Sequence, residues 1–286
     1  MPSPALPPQK RMTGMLGHPV AENPIDLMFD AVYAHHGLPW QFWKCDVASE
    51  ERLGAAIAGV RALGFAGTCI TVPYKVASIP HLDAVDDDVR AIGAANYVTV
   101  ENGRLIGHNN DGKGVVKAIE KVTPIRGKRV VMLGAGGAGR AMAVELAWAG
   151  ASHLTVVTRR ESQGTEVAAL VTRASGVPAE WAPWSGEVRI PDSTQILMNA
   201  THLGAAPELA PVPVSWATVS TTTTVVDVIT NPRLTPFLRT ARDRGCSVVD
   251  GVEMLVQLAM QIFERWTGIR PAEDVFQAAV ARALGE

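Results

Sequence analysis

Residues 134–139 read GAGGAG, which places Gly134, Gly136 and Gly139 in G-x-G-x-x-G spacing with Ala135, Gly137 and Ala138 between them. The hexapeptide directly follows a continuous apolar run, KRVVML (128–133), and opens a helical pattern that lasts to residue 150. In that setting the glycines have separate tasks. Gly134 permits a tight turn, Gly136 lets backbone approach a pyrophosphate, and Gly139 allows the helix to pack closely on its strand. The helix N-terminus adds N–H donors and a positive dipole end for the phosphates. The chemistry is therefore that of a dinucleotide site. The next strand ends in VVTRRES, with Thr158, Arg159 and Arg160 where a ribose-binding carboxylate would favour NAD. Two guanidinium groups suit a 2′-phosphate by bidentate pairing and stack on adenine. NADP is the expected cofactor, and Glu161 leaves NAD open as a second.

Two further segments carry polar groups at the ends of apolar runs. In ITVPYK (70–75), Ile70, Thr71 and Val72 read as a strand end; Pro73 stops the ladder because it has no N–H, and Lys75 follows. Taken alone, Lys75 is a solvated loop lysine. In GAANY (93–97) and NNDGKG (109–114), Asn96 reads as a turn residue and Asp111 as a helix N-cap, for which Asn and Asp are well suited.

The elements that must hold these residues alternate. Strands at 11–17, 40–47 and 67–72 are separated by helices at 23–37 and 49–64, a βαβαβ order that calls for a mostly parallel sheet with helices on both faces. A short helix at 86–94 and a hairpin at 95–109 about Asn102-Gly103 follow. A second series has strands at 128–133, 153–158, 195–200, 224–228 and 246–250, with a loop carrying weak strands at 175–193. A long amphipathic helix (252–268) and another from Ala272 close the chain. The fold class is α/β. The domain junction falls near residue 112 with a return crossing near 250: an N-terminal domain of residues 1–112 completed by helices in 251–286, and a Rossmann-type doubly wound parallel-sheet domain at 113–250.

The chain has 286 residues, 47% of them hydrophobic, and a net charge of −2, which argues against a nucleic-acid partner. Three widely spaced cysteines without a CxxC fit a reducing, cytoplasmic setting. The proline-rich start, MPSPALPPQKR, has no apolar core of a signal peptide or anchor, and no run reaches membrane-spanning length. No HExxH or CxxC marks a metal site and no G-x-S-x-G marks a serine hydrolase, so no metal is expected.

ITVPYK, GAANY, NNDGKG, GAGGAGRA, NATHLG (199–204), TPFL (235–238) and DGVEMLV (250–256) together resemble, in order and spacing, the shikimate dehydrogenases. The resemblance runs from about residue 12 to 270 and implies a substrate domain followed by the NADP domain. The implied reaction reduces 3-dehydroshikimate, or oxidises shikimate, in the cleft between them. It makes Lys75 and Asp111 the catalytic pair and Thr71 and Asn96 contacts to substrate hydroxyls. Reducing a ketone needs a hydride at carbon and a proton at oxygen. Lys75 would deliver that proton with Asp111 orienting it, and which group finally accepts it in the oxidation stays open. Val228 and Gly251 complete the cofactor-binding set. A homodimer is what the family adds.

Several positions depart from the family pattern. The paired serines after the first strand are replaced by GHPVAENPID, with Asn23 before Pro24. The family tyrosine falls on Thr230, its glutamine on Leu258 beside Gln257, an asparagine on Cys69, and the threonine before the catalytic aspartate on Asn110. Asn23, Asn110 and Thr230 are therefore the candidate replacements for substrate contacts. The departures gather at the groups that hold the substrate carboxylate. The substrate is then shikimate or a close cyclic polyol carboxylate, with quinate or aminoshikimate and NAD as the alternative. An idle NADP-binding sensor is the alternative of another class.

Overall fold

A computed structural model describes residues 10–285; the reading of the proline-rich start falls largely on residues 1–9, outside the described residues. In chain order the elements are β1 (Arg11–Gly17), α1 (Ile25–His35), β2 (Trp40–Asp46), α2 (Leu53–Ala62), β3 (Gly67–Ile70), β4 (Ala84–Val85), α3 (Asp87–Ile92), β5 (Tyr97–Glu101), β6 (Arg104–His108) and α4 (Asp111–Glu120). There follow β7 (Arg129–Leu133), α5 (Gly137–Trp148), β8 (His153–Thr158), α6 (Glu161–Ser175), β9 (Ala179–Pro183), β10 (Ile196–Asn199), β11 (Thr224–Asp227), α7 (Pro236–Asp243), β12 (Ser247–Val249), α8 (Gly251–Thr267) and α9 (Glu273–Leu284). The chain forms two compact units. The first comprises Met1–Asp86, Ala95–His108 and Ala259–Glu286; the second comprises Asp87–Ala94 and Asn109–Leu258. Helix α8 contributes its first two turns to the second unit and the remainder to the first.

The first unit holds a six-stranded sheet in the order β2-β1-β3-β5-β6-β4. Strands β2, β1 and β3 run parallel, as the βαβαβ order requires, while the β5–β6 hairpin is antiparallel to β3. One core packs Leu16, Leu53, Ile57, Ile70, Tyr74 and Val98. Another is aromatic, with Phe29 stacked on Phe42 at 5.0 Å and in contact with Trp266 and Phe276. Strand β3 ends at Ile70, two residues before its apolar run does. The Val72 carbonyl leaves the ladder to accept from the His18 N–H at 2.9 Å, and Val72 is exposed.

The second unit has an all-parallel sheet in the order β12-β11-β10-β7-β8-β9. Counted along this unit's own strands, the order is 6-5-4-1-2-3, the doubly wound dinucleotide topology whose strand order reverses between β7 and β10. Strand β9 lies at the sheet edge, where Pro183 is tolerated. Helices α6 and α7 add to the elements read from the sequence: α6 buries Gly164, Val167, Ala168, Leu170 and Val171, and α7 is a short helix burying Phe237, Leu238 and Ala241. Among the described residues, no helix is long and apolar enough to cross a membrane.

Gly67, which opens β3, is a packing constraint. A Cβ there would sit 2.2 Å from Trp266 Nε1 and 2.6 Å from the Val98 carbonyl, the pair joined by a 3.1 Å hydrogen bond. Gly67→Ala is expected to destabilise the protein by about 2–3 kcal/mol through overpacking, read as a lower urea midpoint at unchanged slope; an unchanged midpoint would show that Trp266 can move aside freely.

Candidate active site

The glycine turn leaves β7 at the switch point. Gly134 has φ +103°, and a Cβ on it would meet Thr201 Cγ2 at 2.8 Å and the Ala200 carbonyl at 2.9 Å. At Gly139 a Cβ would meet the Gly134 carbonyl at 3.2 Å, so the third glycine lets α5 lie against the turn. Gly136 differs: a Cβ there meets nothing within 4 Å. It is the N-cap of α5 and makes no side-chain cap bond, which leaves the first-turn N–H groups of Gly137, Ala138 and Gly139 without a side-chain cap. Tight sterics behind and open space with donors in front fit a pyrophosphate. Ala135 is buried, and its carbonyl accepts from Gln163 Nε2 of α6 at 2.9 Å.

At the end of β8, Thr158 is buried; its hydroxyl donates to the Arg160 carbonyl at 2.7 Å and accepts from Trp181 Nε1 at 3.0 Å. That brace turns the chain so that Arg159 and Arg160 are exposed. Glu161 is the first residue of α6 rather than the end of the strand, so it does not occupy the ribose-binding carboxylate position.

Beyond the switch point, Asn199 ends β10 and Asp227 ends β11, and both are buried. Asn199 Nδ2 donates to Asp227 Oδ1 at 3.0 Å, and Thr235 Oγ1 donates to Asp227 Oδ2 at 2.7 Å. Burial pushes the Asp227 carboxyl up to about 6, opposed by the hydrogen bonds from Thr235, Ile229 and Asn199. Val228 and Thr230 are half-buried in the segment that follows. Gly251 is pinned beneath it, since a Cβ would lie 2.6 Å from the Val228 carbonyl. Periodicity does not reveal Asp227 as part of this network; its signal is a lone acid ending the apolar run TVVD.

Asp111 is buried and is the first residue of α4, a position at which the helix dipole favours acidic side chains. The N-cap is Asn110, and the Asp111 N–H is taken by Asn109 Oδ1 at 3.1 Å. Asp111 is thus not itself the cap. Asn110 Nδ2 donates to the Leu258 carbonyl at 2.9 Å and ties α4 to α8. Leu258 is buried, with its Cβ 3.0 Å from the position of a Cβ on Gly114. Gln257 binds Glu253 instead, at 3.0 Å. Behind Asp111, Gly112 packs against α5: a Cβ on it would lie 2.5 Å from Glu145 Cγ. Glu145 is buried and its Oε1 has no hydrogen-bond partner. Burial pushes this carboxyl up to about 7; Lys113 pulls it down and Asp88 raises it.

In the first unit, Thr71, Lys75 and Asn96 come together through backbone bonds. The Ile70 N–H donates to the Asn96 carbonyl at 2.7 Å, and the Ala95 N–H donates to the Lys75 carbonyl at 2.7 Å. Asn96 is buried, while Thr71 and Lys75 are half-buried. Gly17 admits the segment, since a Cβ there would strike Thr71 Cγ2. Asn23 starts α1, its Oδ1 accepting from the Ile25 N–H at 3.1 Å. From the neighbouring β2, Lys44 Nζ pairs with Asp26 of α1 at 3.2 Å and donates to the carbonyls of Ala21 and Asn23, while Asp46 pairs with His18 at 2.7 Å. Glu22 is exposed beside them.

A doubly wound parallel sheet with a glycine turn at its switch point, preceded by a smaller α/β unit, defines a two-domain dinucleotide-dependent oxidoreductase fold. Comparison with known proteins agrees. The family model for the shikimate dehydrogenase substrate binding domain matches residues 15–98. The NADP(+) shikimate dehydrogenase of Moorella thermoacetica is 38% identical over 96% of this chain and 94% of its own. The ligand-free 5-ketofructose reductase of Gluconobacter sp. strain CHM43 is 41% identical with a TM-score of 0.89, covering 96% of this chain and 98% of that one. A shikimate dehydrogenase solved with NADP+ is 29% identical with a TM-score of 0.90, covering 97% and 96%. The chain belongs to the shikimate dehydrogenase family and is an enzyme of that type, which replaces the idle-sensor alternative.

The Glu145 carboxyl makes stability depend on pH. Its pKa rises on folding, so its penalty is absent below about 4.5, grows as pH rises, and is complete above about 7. Glu145→Gln is expected to remove about 3 kcal/mol of the stability lost between those limits. Urea denaturation at several pH values checks it: parallel pH profiles for the two proteins would contradict the assignment.

Proposed function

We propose that the protein catalyses reversible NADP-dependent reduction of a ketone on a small polyhydroxylated substrate, with Lys75 and Asp111 handling the proton. The carrying observation is the switch-point glycine turn, open at Gly136 and closed at Gly134 and Gly139, in a chain of this family. NADP rests on exposed Arg159 and Arg160 at the end of β8 and on the NADP(+)-linked curated relatives. Those relatives and the displaced Glu161 leave the quinate and NAD alternative unfavoured.

The bound nicotinamide would supply the hydride; the chain supplies position and proton. Lys75 gives a proton from its ammonium to the oxygen as negative charge develops there. Asp111, buried at the start of α4, is the acidic member of the proposed pair, as the family motif has it. Asn96 and Thr71 fix substrate hydroxyls, and Asn23 and Thr230 offer further polar contacts. Holding the carbonyl against donor and hydride is where most of the rate arises. The first unit acts as the substrate domain and the second as the dinucleotide domain, supported by the family-model match to residues 15–98.

The loop after β1 favours a substrate without a carboxylate. It lacks the serine pair, Lys44 of the adjacent β2 is engaged by Asp26, His18 is engaged by Asp46, and Glu22 adds negative charge. Leu258 cannot replace an amide donor. A carboxylate brought here would lose hydration without recovering charge-assisted bonds. An uncharged polyhydroxy ketone needs only hydroxyl contacts, in keeping with the ketofructose reductase among the relatives. The second reading, 3-dehydroshikimate or a close cyclic polyol carboxylate, is favoured by the names of the curated relatives.

A panel of 5-ketofructose, 3-dehydroshikimate, shikimate and quinate with each nicotinamide cofactor is expected to give the highest kcat/KM for the uncharged ketone with NADPH. A preference for 3-dehydroshikimate would restore the second reading. Lys75→Ala should lower kcat by roughly 10²–10⁴-fold with unchanged NADPH affinity, and an equal loss of NADPH affinity would move Lys75 into the cofactor site. Arg159→Ala should weaken NADPH about tenfold and NADH little; equal effects would remove the 2′-phosphate argument.

A further inference from the structure

The groups buried beyond the switch point are shielded from solvent, yet they join the loops that follow β10 and β11. Asp227 Oδ1 accepts from Asn199 Nδ2 at 3.0 Å and from the Ile229 N–H at 3.1 Å, while Oδ2 accepts from Thr235 Oγ1 at 2.7 Å. Asn199 has a second set of bonds. Its Nδ2 donates to the Leu203 carbonyl at 3.0 Å, and its Oδ1 accepts from the Thr201 N–H and hydroxyl at 3.1 and 2.7 Å. Thr235 caps α7, its Oγ1 accepting from the Leu238 N–H at 3.1 Å. Asn199, Asp227 and Thr235 are each at most 1% exposed. One carboxylate thus ties together the loop 200–204, the segment 228–230 and the start of α7. The first of these is the wall of the glycine turn, since Thr201 Cγ2 and the Ala200 carbonyl are what a Cβ on Gly134 would strike. The second carries Val228 and Thr230.

We infer that Asp227, with Asn199 and Thr235, forms a positioning set for the dinucleotide: it holds the loops after β10 and β11 so that the glycine turn and Val228 present one fixed surface. The inference rests on the dinucleotide reading proposed above for the same unit. Asn199, Ile229 and Thr235 all donate to the carboxylate, so an acceptor-only group is required. An amide at this place would turn an N–H toward Asn199 Nδ2 or toward a hydroxyl already bonded to Leu238. A buried donor would be left unsatisfied and the loop displaced.

The test is NADPH affinity, read by fluorescence titration without substrate, for wild type, Asp227→Asn, Thr235→Val and Thr235→Ser. Thermal midpoints are measured in parallel, and titrations are made well below each. The expected result is a Kd raised about tenfold by Asp227→Asn and several-fold by Thr235→Val, with Thr235→Ser near wild type because it restores the hydroxyl. Lower midpoints with Kd values within twofold of wild type would reduce the network to a purely structural one and overturn the inference. If Asp227→Asn does not fold, the Thr235 pair decides alone. Failure of wild type to bind NADPH would instead defeat the underlying dinucleotide reading.

Discussion

At the end of β7 the backbone must turn within a space too small for any side chain. Gly134 adopts φ +103°, with the Ala200 carbonyl and Thr201 pressed against the place where its Cβ would be. Only glycine meets both conditions at low cost. The turn in that space starts α5 without a side-chain cap on its first N–H groups, and Gly139 lets the helix lie close against the turn. The open position at Gly136 then faces solvent. An anion-binding surface is the physical result, and the order of the parallel strands puts it at the one place where neighbouring crossovers diverge. The buried bonds of Asp227 and Asn199 act on the far wall of the same turn.

Reaction class and substrate choice rest on different parts of the chain. The first follows from backbone geometry and family membership, with Lys75 and Asp111 as its proposed proton-handling pair. The second is proposed to lie with side chains near the substrate end, where this chain departs from the family motifs. Asn23 and His18 of the segment after β1 bind Ile25 and Asp46, and Lys44 of β2 binds Asp26, the arrangement on which the proposed preference for an uncharged substrate rests. On α8, Leu258 closes the packing against Gly114 and lends only its carbonyl to Asn110.

Much of this was legible in the sequence because it depends on local rules. Alternating apolar runs and helical periods located β7, β8, α5 and α8, and the glycine spacing located the turn. The limits are equally physical. The end of β3 depends on a hydrogen bond from His18, distant in sequence, that no local pattern encodes. Helix α6 buries Gly164, Val167, Ala168 and Val171 at helical spacing, but two of these four carry little apolar surface, and α7 spans only Pro236–Asp243. Asp111 reads as a cap, yet Asn109 and Asn110 take the capping positions and leave it inside the helix. Glu145 and Asp227 look like ordinary acids until burial, a tertiary property, shifts their protonation. The roles proposed for Lys75 and Asp111 come from the family motifs; the structure adds that Asp111 is buried and that the Lys75 segment is tied to Asn96.

The most direct measurement follows a labelled hydride. NADPH carrying deuterium at both C4 positions is incubated with the enzyme and an uncharged polyhydroxy ketone, and the alcohol product is analysed by mass spectrometry and NMR. One deuteron is expected on the new carbinol carbon. Tight NADPH binding with no deuterium delivered to that ketone or to 3-dehydroshikimate would contradict it.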